Sequence, residues 1–287
     1  MSAQVIEIAQ DRLLALCNTY PVDGRVSWHS PSARGFASMN CYLIQEDEDA
    51  LLVDTGVTVH EASLKAQIGA SLREPCTLSM FALRQGEFDS VCNVLPLIDR
   101  FGIRTVYGQF ADAPRWADIH SEFDAADGGG DDLPVVTTVV VPRTDTIQLG
   151  RAGTRRLAVF RPALRLLTTH WIYDEATGTL FTSDSFGYVV RPSEAGPWLV
   201  TAEHDDVTTE DVCDHLANTR YWWLAHSRVD DVRRDLASIF ERHDVRVIAP
   251  AFGAVLSGES VVRRHAALMD ESIARLGRGA VSATGGA

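Results

Sequence analysis

Lysine is almost missing from this chain: Lys65 is the only one in 287 residues, so nearly all basic charge is arginine. Basic charge is scarce as well, with 26 Lys+Arg against 39 Asp+Glu and a formal net charge of −13. That balance argues against a nucleic-acid backbone or an anionic membrane as the main partner. Cysteine is sparse too. Cys17, Cys41, Cys76, Cys92 and Cys213 are odd in number and contain no Cys-x-x-Cys, so no disulfide framework is expected and a reducing compartment is. No apolar run reaches the roughly 18 residues of a membrane span. The N-terminus has neither a basic region nor an apolar region ending in a cleavage site. Cytoplasm is therefore the expected location.

Several motifs are absent. There is no Gly-x-x-x-x-Gly-Lys phosphate loop, Gly-x-Ser-x-Gly elbow, His-Glu-x-x-His helix or Gly-x-Gly-x-x-Gly after a strand. Nucleotide-binding, serine-hydrolase and zincin readings fall away with them. What remains is an ordinary globular composition, 46% apolar and 23% charged, with nine histidines and many acids that would suit a metal enzyme.

Apolar runs bounded by turn residues predict strands at Asn40–Ile44, Ala50–Val53, Thr77–Leu83, Thr105–Tyr107, Val135–Val141, Leu157–Phe160, Thr179–Thr182 and Val245–Ala249. The first two flank the acidic turn Gln45–Asp49 and read as a hairpin. Helical periodicity puts Val91, Leu95, Ile98 and Phe101 on one face, and Val229, Val232, Leu236, Ile239 and Phe240 on another. A final helix is expected over Ser260–Leu276. Residues 120–132 read as a mobile surface loop and 277–287 as a disordered tail, leaving a single domain over 1–276. Hairpins early, helices interspersed and strands late suggest a layered domain.

Three acid-bearing segments come directly after predicted strands: Val53-Asp54-Thr55-Gly56, Gln85-Gly86-Glu87-Phe88-Asp89-Ser90 and Ser183-Asp184-Ser185-Phe186-Gly187. Their order resembles the metallo-β-lactamase fold, an α+β, four-layer αββα sandwich with metals on loops at one edge of two sheets. Within that superfamily the chain is most similar to the diiron, oxygen-reducing domain of flavodiiron proteins. The matching stretches are Asn40–Ile44, Leu52–Thr55, Gln85–Pro96, Pro162–Arg165, Leu180–Gly187 and Ala249–Gly253, in consistent order over about residues 5–275. The family's flavodoxin domain has no counterpart in this sequence.

Carried across residue by residue, the resemblance places the family's ligand histidines on Gln85, Ser90, Arg165 and Phe252, and its carboxylates on Glu87, Asp89 and Asp184. All three acids remain and all four imidazoles are replaced. Imidazole is a principal neutral ligand for iron and zinc, whereas phenylalanine has no donor and guanidinium no available lone pair. Three clustered carboxylates without a cation would repel one another, and a bidentate contact from Arg165 to Glu87 or Asp184 is the expected relief. The preferred expectation is therefore an arginine–carboxylate cluster in place of the metals. The alternative is a single divalent cation: Mg, Mn or Ca held by Glu87, Asp89, Asp184 and Gln85, or one weak Fe or Zn.

Other readings of the same residues stay open. Asp89 and Ser90 also suit a cap for the helix near Val91, worth about 1 kcal/mol. Asp54 reads as a structural turn residue and Asp184 as a candidate Asx cap. His170 and His204 are candidates for the pocket or its mouth, while His215 and His226 lack metal-like spacing. Cys92 is either thiolate-prone beside a helix start or a small buried residue. Tyr221-Trp-Trp-Leu224 suits core or dimer surface. The expected function is a metal-depleted protein binding a ligand or partner, as a homodimer or a hetero-oligomer with a related protein. The alternatives are a hydrolase or oxidoreductase retaining one metal, and a metal-free acid–base enzyme at the same pocket.

Overall fold

The computed structural model describes residues 2–118 and 135–284. The first sheet runs in chain order: β1 (Ala3–Ala9), β2 (Leu13–Val22), β3 (Gly35–Glu46), β4 (Asp49–Val53), β5 (Thr77–Phe81), β6 (Thr105–Gly108) and β7 (Thr137–Val140). The second holds β8 (Thr144–Leu149), β9 (Arg155–Phe160), β10 (Trp171–Asp174), β11 (Thr179–Ser183), β13 (Val247–Pro250), β14 (Val255–Ser257) and β12 (Leu199–Val200), in that spatial order. Strands β3, β4, β10 and β11 are buried along nearly their whole length because both their faces are covered.

The main core lies between the sheets, around Leu13, Tyr42, Ile44, Phe81, Leu157, Trp171 and Phe181. Helices α1 (Glu61–Ser71), α3 (Val94–Phe101) and α4 (Ala113–Ala117) cover the outer face of the first sheet through Leu64, Ile68, Leu97 and Ala113. Helices α5 (Thr209–Asn218), α6 (Asp230–Arg242) and α7 (Glu259–Thr284) pack together, and α7 lies on β13 and β14. The result is the αββα sandwich expected from the sequence.

Several boundaries differ. The acidic hairpin turns over only Asp47 and Glu48, with Asp47 at φ +50°, a left-handed conformation that Asp tolerates. The helix expected from Val91 is split into α2 (Phe88–Val91) and α3. Between them the Asn93 amide donates to the carbonyls of Thr55 (2.7 Å) and Val57 (3.1 Å), tying the break to the loop after β4. The last helix does not stop at Leu276 but continues through 277–284, where a disordered tail is expected. Gly277 is no terminator: a Cβ there would stand 2.3 Å from Val229 Cγ2, so glycine lets α7 close on the start of α6. The loop expected at 120–132 lies outside the described residues. Strands β1 and β2 are not among those the sequence pattern predicts; β1 is an edge strand with only alternate side chains half-buried, a weak apolar signal.

Candidate functional site

Parallel pairing of β4 with β5, and of β11 with β13, brings the loops after these strands to one edge of the sandwich. After β4 the chain turns at Asp54 (φ +60°), whose Oδ1 accepts from the Leu83 amide at 2.9 Å and from the Ser90 hydroxyl. This fixes the loop after β5, which carries Arg84, Gln85, Glu87, Asp89 and Ser90. The loop after β11 presents Asp184, and that after β13 presents Phe252. A bridge between Met39 and Phe252 joins the two sheets here.

The centre of the constellation is Arg84. Its Nη1 donates to Asp184 Oδ1 at 2.5 Å and its Nη2 to Asp89 Oδ2, with all three side chains buried. Its guanidinium carbon lies 5.3 Å from the centre of the Phe252 ring, within cation–π range. Phe252 is also stacked on Trp28, at 4.5 Å and 18°. A second arginine, Arg220, donates to Glu87 Oε1. Glu87, Asp89 and Asp184 thus each have a guanidinium partner.

Charge is balanced only in part. Burial drives the Asp184 carboxyl up from 3.8 to about 7; Arg84 and Arg220 pull it down, while Asp89 and Glu87 push it further up. Burial likewise raises Asp54 to about 6, against the pull of Arg84. For Arg84, burial opposes the charge, but Asp184, Asp89 and Asp54 outweigh it and hold the guanidinium more firmly protonated than usual. Among the described residues Asp184 Oδ2, Arg84 Nε and Thr219 Oγ1 have no hydrogen-bond partner. Asp184 and Thr219 both line a cavity of about 10 Å³ with Trp28, Leu166, Arg220 and Phe252, space for about one water-sized group.

The expected residues are distributed unevenly. Glu87, Asp89, Asp184 and Phe252 meet at the cluster, and Ser90 touches it through Asp54. Gln85 turns away, its Oε1 accepting the amides of Gln109 and of Phe110 (2.7 Å). Arg165 does not supply the expected contact: its Nη1 donates to its own loop, at the Pro162 carbonyl (2.6 Å), and it forms no ion pair with Glu87 or Asp184. Arg84 takes Asp184 and Arg220 takes Glu87 instead. His170 does not line the cavity beside Asp184. Fully buried, it bonds Gln109 Nε2 and the Pro142 carbonyl, each at 2.9 Å, and burial lowers its pKa to about 4. His204 meets Thr201 on the surface. Cys92 is not thiolate-prone, since burial raises its pKa. Tyr221 and Leu224 are core, Tyr221 bonding Ser185 Oγ at 2.7 Å, whereas Trp222 is exposed.

The site does not fit the diiron pair that the fold suggests. One oxygen of each of Glu87, Asp89 and Asp184 is bonded to a guanidinium group, Ser90 donates to Asp54, and Phe252 offers a ring face. Among the described residues no group of three or more His, Cys, Asp or Glu side chains is arranged to hold a metal ion. A fixed cation at Arg84 also repels a divalent one.

No family model matches the chain, and no curated protein matches it. Solved structures do. A flavodiiron protein from Giardia intestinalis superposes with a TM-score of 0.59 at 17% identity, over 98% of this chain and 60% of that one. A metal-soaked flavodiiron core from Synechocystis sp. PCC6803 gives 0.63 at 17% identity, over 94% and 61%. A metallo-β-lactamase from Pontibacter korlensis gives 0.53 at 13% identity, over 93% and 99%. The chain therefore has the metallo-β-lactamase fold and is similar in structure to flavodiiron proteins. It spans about three fifths of the length of those two flavodiiron structures.

Proposed function

We propose that this chain is a metal-depleted relative of the flavodiiron diiron domain, in which Arg84 supplies internally the positive charge that metals supply elsewhere, and that it binds a partner or ligand. One observation carries the reading: the Arg84 guanidinium bonds Asp89 and Asp184 together. An ionic crosslink built from the chain itself needs no cofactor, and none is proposed. The partner-binding part is supported by exposed apolar side chains on the loops around the cluster. Phe88 (67% exposed) stands between Glu87 and Asp89, and Trp222 (58%) lies two residues after Arg220. Phe110, bonded to Gln85, and Leu167, next to cavity residue Leu166, are exposed as well. Such a group of apolar side chains suits a protein interface, and we propose a homodimer or a hetero-oligomer with a related chain. Among the described residues no helix is long and apolar enough to cross a membrane, which accords with the proposed cytoplasmic location.

A second reading is favoured by one feature. Asp184 Oδ2 is buried, unpartnered among the described residues and faces a cavity, and its carboxyl is poised near neutrality, as a metal-free acid–base catalyst requires.

Elemental analysis of protein purified without a metal-binding tag tests the main reading. Well under one equivalent of iron, zinc or manganese is expected, with no rise in Tm when these ions are added. One or two tightly held equivalents would overturn it. Sedimentation of wild type against Phe88→Ser and Trp222→Ser tests the interface; a wild-type protein monomeric at all concentrations would remove the homodimer.

A further inference from the structure

The exposed apolar side chains around the Arg84 cluster stand on loops that are tied to one another. Phe110 is held by Gln85, whose Oε1 accepts its amide at 2.7 Å. Thr168 Oγ1 bonds Gln109 Oε1 at 3.1 Å, which ties the Leu167 loop to the Phe110 loop. Phe88 follows Glu87, the partner of Arg220, and Trp222 comes two residues after Arg220. Leu166 and Arg220 share the wall of the small cavity.

Leu167 is the costliest of these residues. It is 74% exposed, and its backbone sits at φ +42°, a left-handed conformation that bulky side chains rarely adopt. It gains little from this chain's own core and strains the loop that holds it. Strain and an exposed apolar side chain at one residue mark a surface made to be covered.

Charge on the same loops selects the cover. Residues 84–90, 109–118, 161–169 and 219–228 carry six arginines and four acids, the reverse of the chain's 26 basic and 39 acidic residues. Glu87 and Asp89 already hold Arg220 and Arg84, leaving Asp112 and Asp118 as the other acids. Arg115 and Arg228 are exposed. Half-buried Arg161 and Arg165 donate to His170 Nε2 (3.2 Å) and the Pro162 carbonyl (2.6 Å). None of these four arginines forms an ion pair among the described residues. At −13 overall the chain repels a polyanion such as nucleic acid, so the negative charge that suits this surface is a few carboxylates set among apolar groups.

Resting on the partner-binding reading, we propose that this rim docks a protein segment rich in acidic and apolar side chains. Its apolar groups cover Leu167 and Phe110, and its carboxylates meet Arg115, Arg161 and Arg165. Selection of random peptides of about 16 residues, displayed on phage, against the wild-type protein tests this. Enriched peptides are expected to be net negative and rich in Leu, Phe or Trp. As synthetic peptides they should bind with a Kd of about 1–100 μM by fluorescence anisotropy. Leu167→Gly removes the side chain at a position whose backbone glycine adopts freely, so the fold is kept. This variant and the surface variant Arg115→Glu are each expected to weaken binding by about tenfold. Neutral or basic peptides that bind wild type and are lost in Leu167→Gly would overturn the acidic partner while leaving the rim as an interface. No enrichment, or peptides that bind Leu167→Gly as tightly as wild type, would overturn both the proposal and the partner-binding reading of this rim.

Discussion

Two buried arginine–carboxylate assemblies sit at opposite ends of strand β4, and they are built differently. At the hairpin end Arg155 meets Asp174 fork to fork, with Nε to Oδ1 at 3.1 Å and Nη2 to Oδ2 at 2.5 Å. Its Nη1 donates to the carbonyls of Arg12 (2.9 Å) and Gln45 (3.0 Å), and Asp174 also accepts from Thr177. No buried side-chain atom of that pair is left without a partner. At the Asp54 end one guanidinium, Arg84, is shared between two carboxylates, with Arg84 Nε and Asp184 Oδ2 unpartnered among the described residues. Burying charge costs several kcal/mol per ion in any case, and that cost is recovered only where geometry and hydrogen bonding are complete. The first assembly is a structural tie between the sheets. The second is incompletely bonded, and acids raised toward neutrality mark the deficit.

Substitutions at the two arginines separate these roles. Arg155→Met strands Asp174 in the core and is expected to cost about 3–5 kcal/mol of unfolding free energy, the largest effect anticipated. Arg84→Met is expected to cost about 2 kcal/mol, because Asp184 already holds a proton readily and Glu87 keeps Arg220. Denaturant titrations of both variants measure this; an Arg84→Met cost equal to or above that of Arg155→Met would erase the distinction. Adding Asp184→Asn to Arg84→Met should then recover about 1 kcal/mol, since the neutral amide removes one of the acids left facing each other.

A smaller effect concerns pH. Folding raises Asp184 from 3.8 to about 7, so between those values the folded protein holds a proton that the unfolded chain has released. That contribution to stability is fully present below 3.8 and is lost as pH rises through about 7. Asp184→Asn has no such loss, so its Tm relative to wild type should climb by about 3 °C from pH 5 to pH 8. The groups facing Asp184, namely Arg84, Arg220, Asp89 and Glu87, are common to both proteins, and so are the buried neutral histidines, whose effect runs the other way. A flat difference would mean that Asp184 is already ionised in the folded state.

Much of this is legible in residue order. Asn40–Ile44, Leu52–Thr55 and Leu180–Gly187 mark strands and the turns that close them, because apolar runs ended by Asp, Ser and Gly leave few local alternatives. The acids Glu87, Asp89 and Asp184 are legible in the same way. Arg84 is harder to single out, although it directly precedes the Gln85 segment; an arginine closing a buried strand beside three acids is the available signal. Arg220 has none, since it reaches Glu87 from 133 residues away. Arg165 is the arginine expected at the acids, yet its side chain satisfies a carbonyl of its own loop.

The sequence by itself determined the layered architecture and supplied the three carboxylates Glu87, Asp89 and Asp184, because patterning and side-chain chemistry are local properties. Which cation meets those carboxylates, and whether each buried atom finds a partner, was decided only by the tertiary structure. An arginine side chain is long enough to serve several sites, and the choice among them is set by how loops distant in the chain pack, a property no single segment carries.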